Sequence, residues 1–150
     1  MLKKFKIGIF LFLLSLNYSN SDEINIVSSD INISEEGNII LASNAEIQIP
    51  QKKISIESKK VNYNKNLDII IFSDDVIFND KLNDLKIESK KIKYERKNDL
   101  IFSDGDTIID VNENYKIKSK NIYHNILLKK IYGNEGSIIE DKDGNFYFIK

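Results

Sequence analysis

What most limits the folds open to this chain is an internal repeat of about thirty residues. The stretch Ile87-Glu88-Ser89-Lys90-Lys91-Ile92-Lys93-Tyr94 has a close copy in Ile56-Glu57-Ser58-Lys59-Lys60-Val61-Asn62-Tyr63. A third version, Ile117-Lys118-Ser119-Lys120-Asn121-Ile122-Tyr123-His124, follows, and a worn one, Ile26 to Ile33, precedes them. A unit this short cannot bury its own apolar face, so the copies must stack on one another.

From Ile24 onward apolar and polar residues alternate at period two, the mark of strands with one buried face. The first strand of each repeat then directs matching columns inward: Ile24, Ile54, Leu85 and Tyr115; Ile26, Ile56, Ile87 and Ile117; Ser28, Ser58, Ser89 and Ser119. After the serine the alternation skips a residue, resuming at Ile31, Val61, Ile92 and Ile122, then at Ile33, Tyr63, Tyr94 and His124. An odd step breaks parity, which predicts a bulge or corner just after each serine and a crease running through the stack. The serines are read as small side chains fitting that crease, not as nucleophiles.

Polar turns such as Glu35-Glu36-Gly37-Asn38, Asn64-Lys65-Asn66 and Glu95 to Asp99 reverse the chain. The second strands are predicted to point Leu41, Ile71, Ile101 and Ile131 inward, then Ser43, Ser73, Ser103 and Gly133. Ala45, Val76, Thr107 and Ser137 follow, and then Ile47, Phe78, Ile109 and Ile139. Pro50 belongs in a turn, where it removes no ladder hydrogen bond. The expectation is all-β: about four two-strand repeats, eight strands bent along one crease into facing sheets. A tail, Asn145 to Lys150, resembles the start of a fifth unit. It implies either end-to-end pairing with a neighbour or a longer protein. The first and last strands are unpaired edges that invite another strand.

A chain of 150 residues makes one domain. Without cysteine it has no disulfide or thiol chemistry, and a formal charge of −1 gives no basic excess for nucleic acid. Residues 1–21 read as a secretory signal peptide: Lys3, Lys4 and Lys6, an apolar run from Ile7 to Leu16, and Ser19 and Ser21 before a cut at Asp22. That run is too short to span about 30 Å of hydrocarbon. An uncleaved anchor is the alternative. Cleavage removes three lysines and takes the formal charge from −1 to −4, leaving a mature domain of residues 22–150.

The pattern Ile-x-Ser-Lys-Lys-Ile-x-Tyr, a polar turn, then Ile101-Phe102-Ser103-Asp104-Gly105-Asp106-Thr107-Ile108-Ile109 resembles the OstA-like repeat of lipopolysaccharide-transport proteins. The resemblance spans residues 24–149. It departs from the family in using serine for alanine at the corners and in Asp74-Asp75, which lacks the glycine. It implies a twisted, V-shaped β-jellyroll in the periplasm that shields lipopolysaccharide acyl chains on their way to the outer membrane. Two family roles stay open: the soluble bridge protein, and the N-terminal domain of the outer-membrane assembly protein, which would be outer-membrane associated. Implied partners are lipopolysaccharide, other jellyrolls joined by edge-strand pairing, and a head-to-tail homo-oligomer.

The implied acyl-chain site is an apolar trough lined by Ile56, Tyr63, Ile71, Phe78, Ile87, Tyr94, Ile101, Ile109, Ile117 and Ile122. Each buried CH₂ of a guest chain contributes about 0.8 kcal/mol, so no specific chemistry is required. The plain alternative is that these residues fill a closed core, as in an exported structural or adhesive β-solenoid. Lys59, Lys60, Lys90, Lys91 and Lys120 stack at the corner as candidate lipid-phosphate contacts, or as solvated residues blunting the crease. His124 is the sole histidine, and without a second His or any Cys a metal site is not expected. No paired carboxylates, activated nucleophile or phosphate-cradling glycine loop stands out, so neither an enzyme nor a cofactor is expected. The odd place is Ile126-Leu127-Leu128, apolar where the other repeats carry polar turns. It is read as touching a partner or continuing a longer strand.

Overall fold

The computed structural model describes residues 22–133 and 135–149, so the expected signal peptide lies outside the described residues. The strands are β1 (Asn25–Val27), β2 (Asp30–Ser34), β3 (Ile39–Ile49), β4 (Ile54–Asn64), β5 (Ile69–Asp80), β6 (Leu85–Glu95) and β7 (Leu100–Ser103). They continue as β8 (Asp106–Val111), β9 (Tyr115–Lys120), β10 (Ile122–Asn125), β11 (Lys130–Gly133), β12 (Ser137–Asp141) and β13 (Phe146–Ile149). All belong to one 13-stranded sheet with antiparallel neighbours. The expected eight strands became thirteen because the crease cuts several in two. The fifth unit begins as expected, with β13 paired to β12.

The crease divides the sheet into two half-sheets. The first runs β1-β3-β4-β5-β6-β8-β9-β12-β13. The second runs through β2, the other ends of β3 to β6, then β7, β10 and β11. Four long strands cross the fold line, and beyond them each strand serves one half only.

The corners are made where the sequence tolerates left-handed backbone. Asn44, Asp74, Asp75, Gly105 and Asn121 all have positive φ at the crease, and Asn, Asp and Gly are the residues that adopt it at least cost. The β4–β5 and β5–β6 registers shift there, between Glu57 and Lys60 and between Ser73 and Val76. The serine column does more than leave room. Ser58 Oγ donates to Lys60 O at 3.0 Å, and Ser28 Oγ to Asp30 O at 2.7 Å. Ser89 repeats the bond to Lys91 O at 3.3 Å. These three hydroxyls therefore occupy a carbonyl two residues onward, where the ladder is interrupted, whereas Ser119 Oγ reaches Gly136 O at 3.5 Å.

Antiparallel partners share a face, and this corrects part of the second-strand assignment. Tyr63 pairs with Ile70 and Val61 with Phe72, while Ile71 sits opposite outward Asn62 and Lys93. Inward are therefore Ile70 and Phe72, not Ile71 and Ser73, and likewise Ile40 and Ala42, not Leu41 and Ser43. The runs Ile39-Ile40-Leu41 and Ile69-Ile70-Ile71 are apolar throughout, so alternation could not set their parity. Turn geometry did. Asp68, with φ 55°, closes the turn that places Ile70 against Tyr63. In the third repeat Ile101 and Ser103 are buried as expected.

Candidate functional site: the inner face and its mouth

Cross-strand partners line up in apolar tiers on the inner face of each half-sheet. In the first, Ile47, Ile56, Phe78, Ile87, Ile109, Ile117 and Ile139 are successive cross-strand partners. In the second the series is Tyr63, Ile70, Tyr94, Ile101, His124 and Ile131. The tiers face each other. The edge of the His124 ring meets Phe78 with centroids 6.1 Å apart, and Lys52, in the turn after β3, reaches the Tyr94 hydroxyl at 3.4 Å.

Of the residues expected to line a trough, Ile56, Phe78, Ile87, Tyr94, Ile101 and Ile109 are at most 1% exposed. Tyr63 and Ile122 are buried and Ile117 is half-buried. Ile71 lies on the opposite face. The structure thus brings together nine of the ten, and it closes their middle section into a dry core. Two concavities border that core. One, of about 960 Å³, runs along the turn tips from Asn79 to Lys142. The other, of about 780 Å³, lies beside the crease and is lined by Ile77, Glu88, Ile108 and Lys118.

The half-sheets are offset, so their ends are uncovered. The β3–β4 turn faces Tyr94 and Asp99 near the β6–β7 turn, and β5 faces β10. The second half-sheet ends at β11, and the last strands of the first continue past it. There Ile117 and Ile139 are only half-buried and Tyr147 is 50% exposed. At the other end Ile33 of β2 is 60% exposed.

Polar groups fasten the rim where the halves meet. The Lys52 ammonium lies 2.7 Å from Asp22 Oδ2 and also pairs with Asp99, whose Oδ1 accepts from Tyr94 at 2.9 Å. Burial works against the Lys52 charge, yet Asp22 and Asp99 outweigh it and raise its pKa. Burial first, and then the Asp99 charge, push the Tyr94 hydroxyl far above the usual tyrosine range. Arg96 Nη1 donates to Asp68 Oδ1 at 2.6 Å and to the Tyr63 hydroxyl at 2.8 Å. Its Nη2 donates to Asp22 O at 2.7 Å.

Further along, Asp80 and His124 are both almost fully buried, with His124 Nε2 3.9 Å from Asp80 Oδ2 and without a hydrogen-bond partner. Burial pushes the Asp80 carboxyl up, but the nearby His124 ring and the hydrogen bonds from Asn83 and Leu82 prevail and lower its pKa. Neither fastening was legible in the sequence. The repeated Tyr-x₄-Asp of Tyr63/Asp68 and Tyr94/Asp99 was the available signal.

The lysine column sits outside the crease, away from the apolar tiers. Lys60 pairs with Asp74 at 2.8 Å, Lys59 with Asp75, Lys91 with Asp104 at 3.4 Å, and Lys120 lies 3.9 Å from Asp106. The second-strand carboxylates thus balance the column, and a phosphate would have to compete with them. Lys90 is exposed in the same row.

No protein-family model matches the chain and no curated protein sequence matches it. Among solved structures, the chain is similar to the crystal structure of LptH, the LptA homologous periplasmic component of the conserved lipopolysaccharide transport device from Pseudomonas aeruginosa. The TM-score is 0.68 over 86% of this chain and 95% of that one, at 7% identity. At that identity the likeness is one of fold: this chain has an LptA-like β-jellyroll fold.

Proposed function

We propose that this chain is an exported periplasmic lipopolysaccharide-binding protein, which shields acyl chains between its half-sheets and passes them toward the outer membrane. The observation that carries the reading is the creased sheet with an apolar inner face that loses its cover toward the C-terminal strands, in a fold shared with LptH. Acyl chains would enter at the uncovered end, beside Ile117 and Ile139, and displace contacts between the tiers as they advance. That role is not enzymatic and needs no cofactor. Its partners would be lipopolysaccharide and other jellyrolls, or further copies, joined at the edge strands β2 and β13. Domain use follows the sequence reading: residues 1–21 direct export and residues 22–150 form the jellyroll, either as a bridge protein or as the start of an outer-membrane assembly protein.

The dry middle of the core favours a second reading, an exported structural repeat whose interior admits nothing. A photo-crosslinking residue placed in cells at Ile117, Ile87, Glu88 and Lys118 separates the two. Lipopolysaccharide adducts at Ile117 and Ile87, with none at outward Glu88 and Lys118, are expected of a lipid path. Absence of adducts at all four, in a folded and exported protein, makes the closed repeat the better account.

A further inference from the structure

The turns at the rim of the second half-sheet change character along the stack. Residues 35–39 carry Glu35 and Glu36 (−2), residues 65–69 carry Lys65 against Asp68 (0), and residues 96–100 carry Arg96 and Lys97 against Asp99 (+1). Residues 126–130 carry Lys129 and Lys130 with no acid (+2). Only this last turn places two leucines together, and Leu127 is 76% and Leu128 60% exposed. It is a built turn. Leu128 N donates to Asn125 Oδ1 at 2.8 Å, and Lys129 N to Ile126 O at 3.3 Å. Behind it, on the outer face of the same hairpin, Tyr123 and Tyr132 stack with centroids 5.4 Å apart, and Phe102 packs 4.7 Å from Tyr123. The outer face is set by register, since Tyr123 pairs with Tyr132 and Phe102 while His124 points inward.

From tip to base the hairpin presents two leucines, two lysines, then tyrosines. That order suits a bilayer interface: the apolar tip reaches the acyl boundary and the ammonium groups lie among anionic headgroups, with the tyrosine stack supporting the hairpin behind them. We propose that the β10–β11 hairpin docks on an anionic lipid surface, with Leu127 and Leu128 inserted and Lys129 and Lys130 held at the headgroups. The charge favours lipid over a purely apolar protein partner. Aspartate closes the two preceding turns, at Asp68 and Asp99, and here the same place is lysine. Docking would bring the uncovered end of the inner face, carried by the neighbouring C-terminal strands, close to a membrane.

The chain has no cysteine, so Leu128→Cys and, as a control, Lys97→Cys each take one environment-sensitive label in the full chain. Vesicles containing phosphatidylglycerol should blue-shift the label at 128 and leave that at 97 unchanged. Vesicles of phosphatidylcholine alone should shift neither label. Adding Lys129→Gln and Lys130→Gln should weaken the 128 response roughly 30-fold, since each lysine near an anionic surface contributes ~1 kcal/mol. Leu127→Ser with Leu128→Ser should weaken vesicle binding at least tenfold by cosedimentation, with an unchanged melting temperature because both side chains are exposed. The proposal is overturned by a silent label at 128, by equal shifts on neutral vesicles, or by indifference to the lysines. A label that responds to a second protein but not to vesicles overturns it too.

Discussion

Truncating Phe78 to alanine tests whether the inner face is closed in solution. Phe78 is fully buried, lies between Ile56 and Ile87 in its tier, and meets the His124 ring of the opposite half-sheet. Removing a ring from such a site forfeits its transfer free energy and leaves a cavity bounded by both halves, at a typical cost of about 3–5 kcal/mol. That is a large part of the roughly 5–15 kcal/mol that holds a domain together. With a urea slope near 2 kcal/mol/M, the unfolding midpoint should fall by about 2 M with the slope unchanged. Ile71→Ala is the internal control. Its side chain is half-exposed on the outer face, so it should cost less than about 1.5 kcal/mol. A loss below about 1 kcal/mol for Phe78→Ala would mean that the halves already stand apart and the ring is wet. A larger loss for Ile71→Ala than for Phe78→Ala would overturn the register itself.

Three further outcomes follow from the rim and the crease. Lys52→Met removes a partly exposed ammonium from between Asp22, Asp99 and Tyr94; charge-assisted bonds of this kind, discounted for solvent, contribute about 1–2 kcal/mol, read as a melting-temperature drop of roughly 4–8 °C in differential scanning calorimetry. The Asp80 carboxyl has its pKa lowered from the ordinary 3.8, so its contribution is complete above that value and lost as pH falls through the folded-state pKa. Between pH 4 and 2 the wild type should therefore lose more stability than Asp80→Asn, and parallel acid-unfolding curves would show that Asp80 contributes nothing through its charge. Gly105 has φ 89° and open space where a Cβ would stand. Gly105→Ala should cost about 1–2 kcal/mol from backbone strain alone, and a neutral result in urea titration would mean that the corner relaxes.

Much of this architecture is visible in the residues because the signals are local. Alternation at period two selects strands, and a parity break just after Ser28, Ser58, Ser89 and Ser119 marks the corners of the first strands. The recurrence of Ile87, Ser89, Ile92 and Tyr94 at Ile56, Ser58, Val61 and Tyr63 fixes which strands are equivalent. The face of Ile69-Ile70-Ile71 was not visible, since three isoleucines in a row carry no parity, and cross-strand pairing with Tyr63 settled it. The serine column was legible as small but not as hydrogen-bonded, because its acceptor carbonyl appears only once the strand bends.

By itself, then, the sequence determined the repeat, the strand-rich class, the crease and most of the inward tier, since each depends on neighbours a few residues apart. Tertiary structure decided how the halves meet. The offset that sets β5 against β10, the closed middle with its open ends, and the Lys52–Asp99 and Asp80–His124 fastenings join residues more than forty positions apart. Alternation tells a strand which face is apolar, but not which distant strand will cover it. That choice follows from the twist accumulated across many paired strands, a property no single repeat contains.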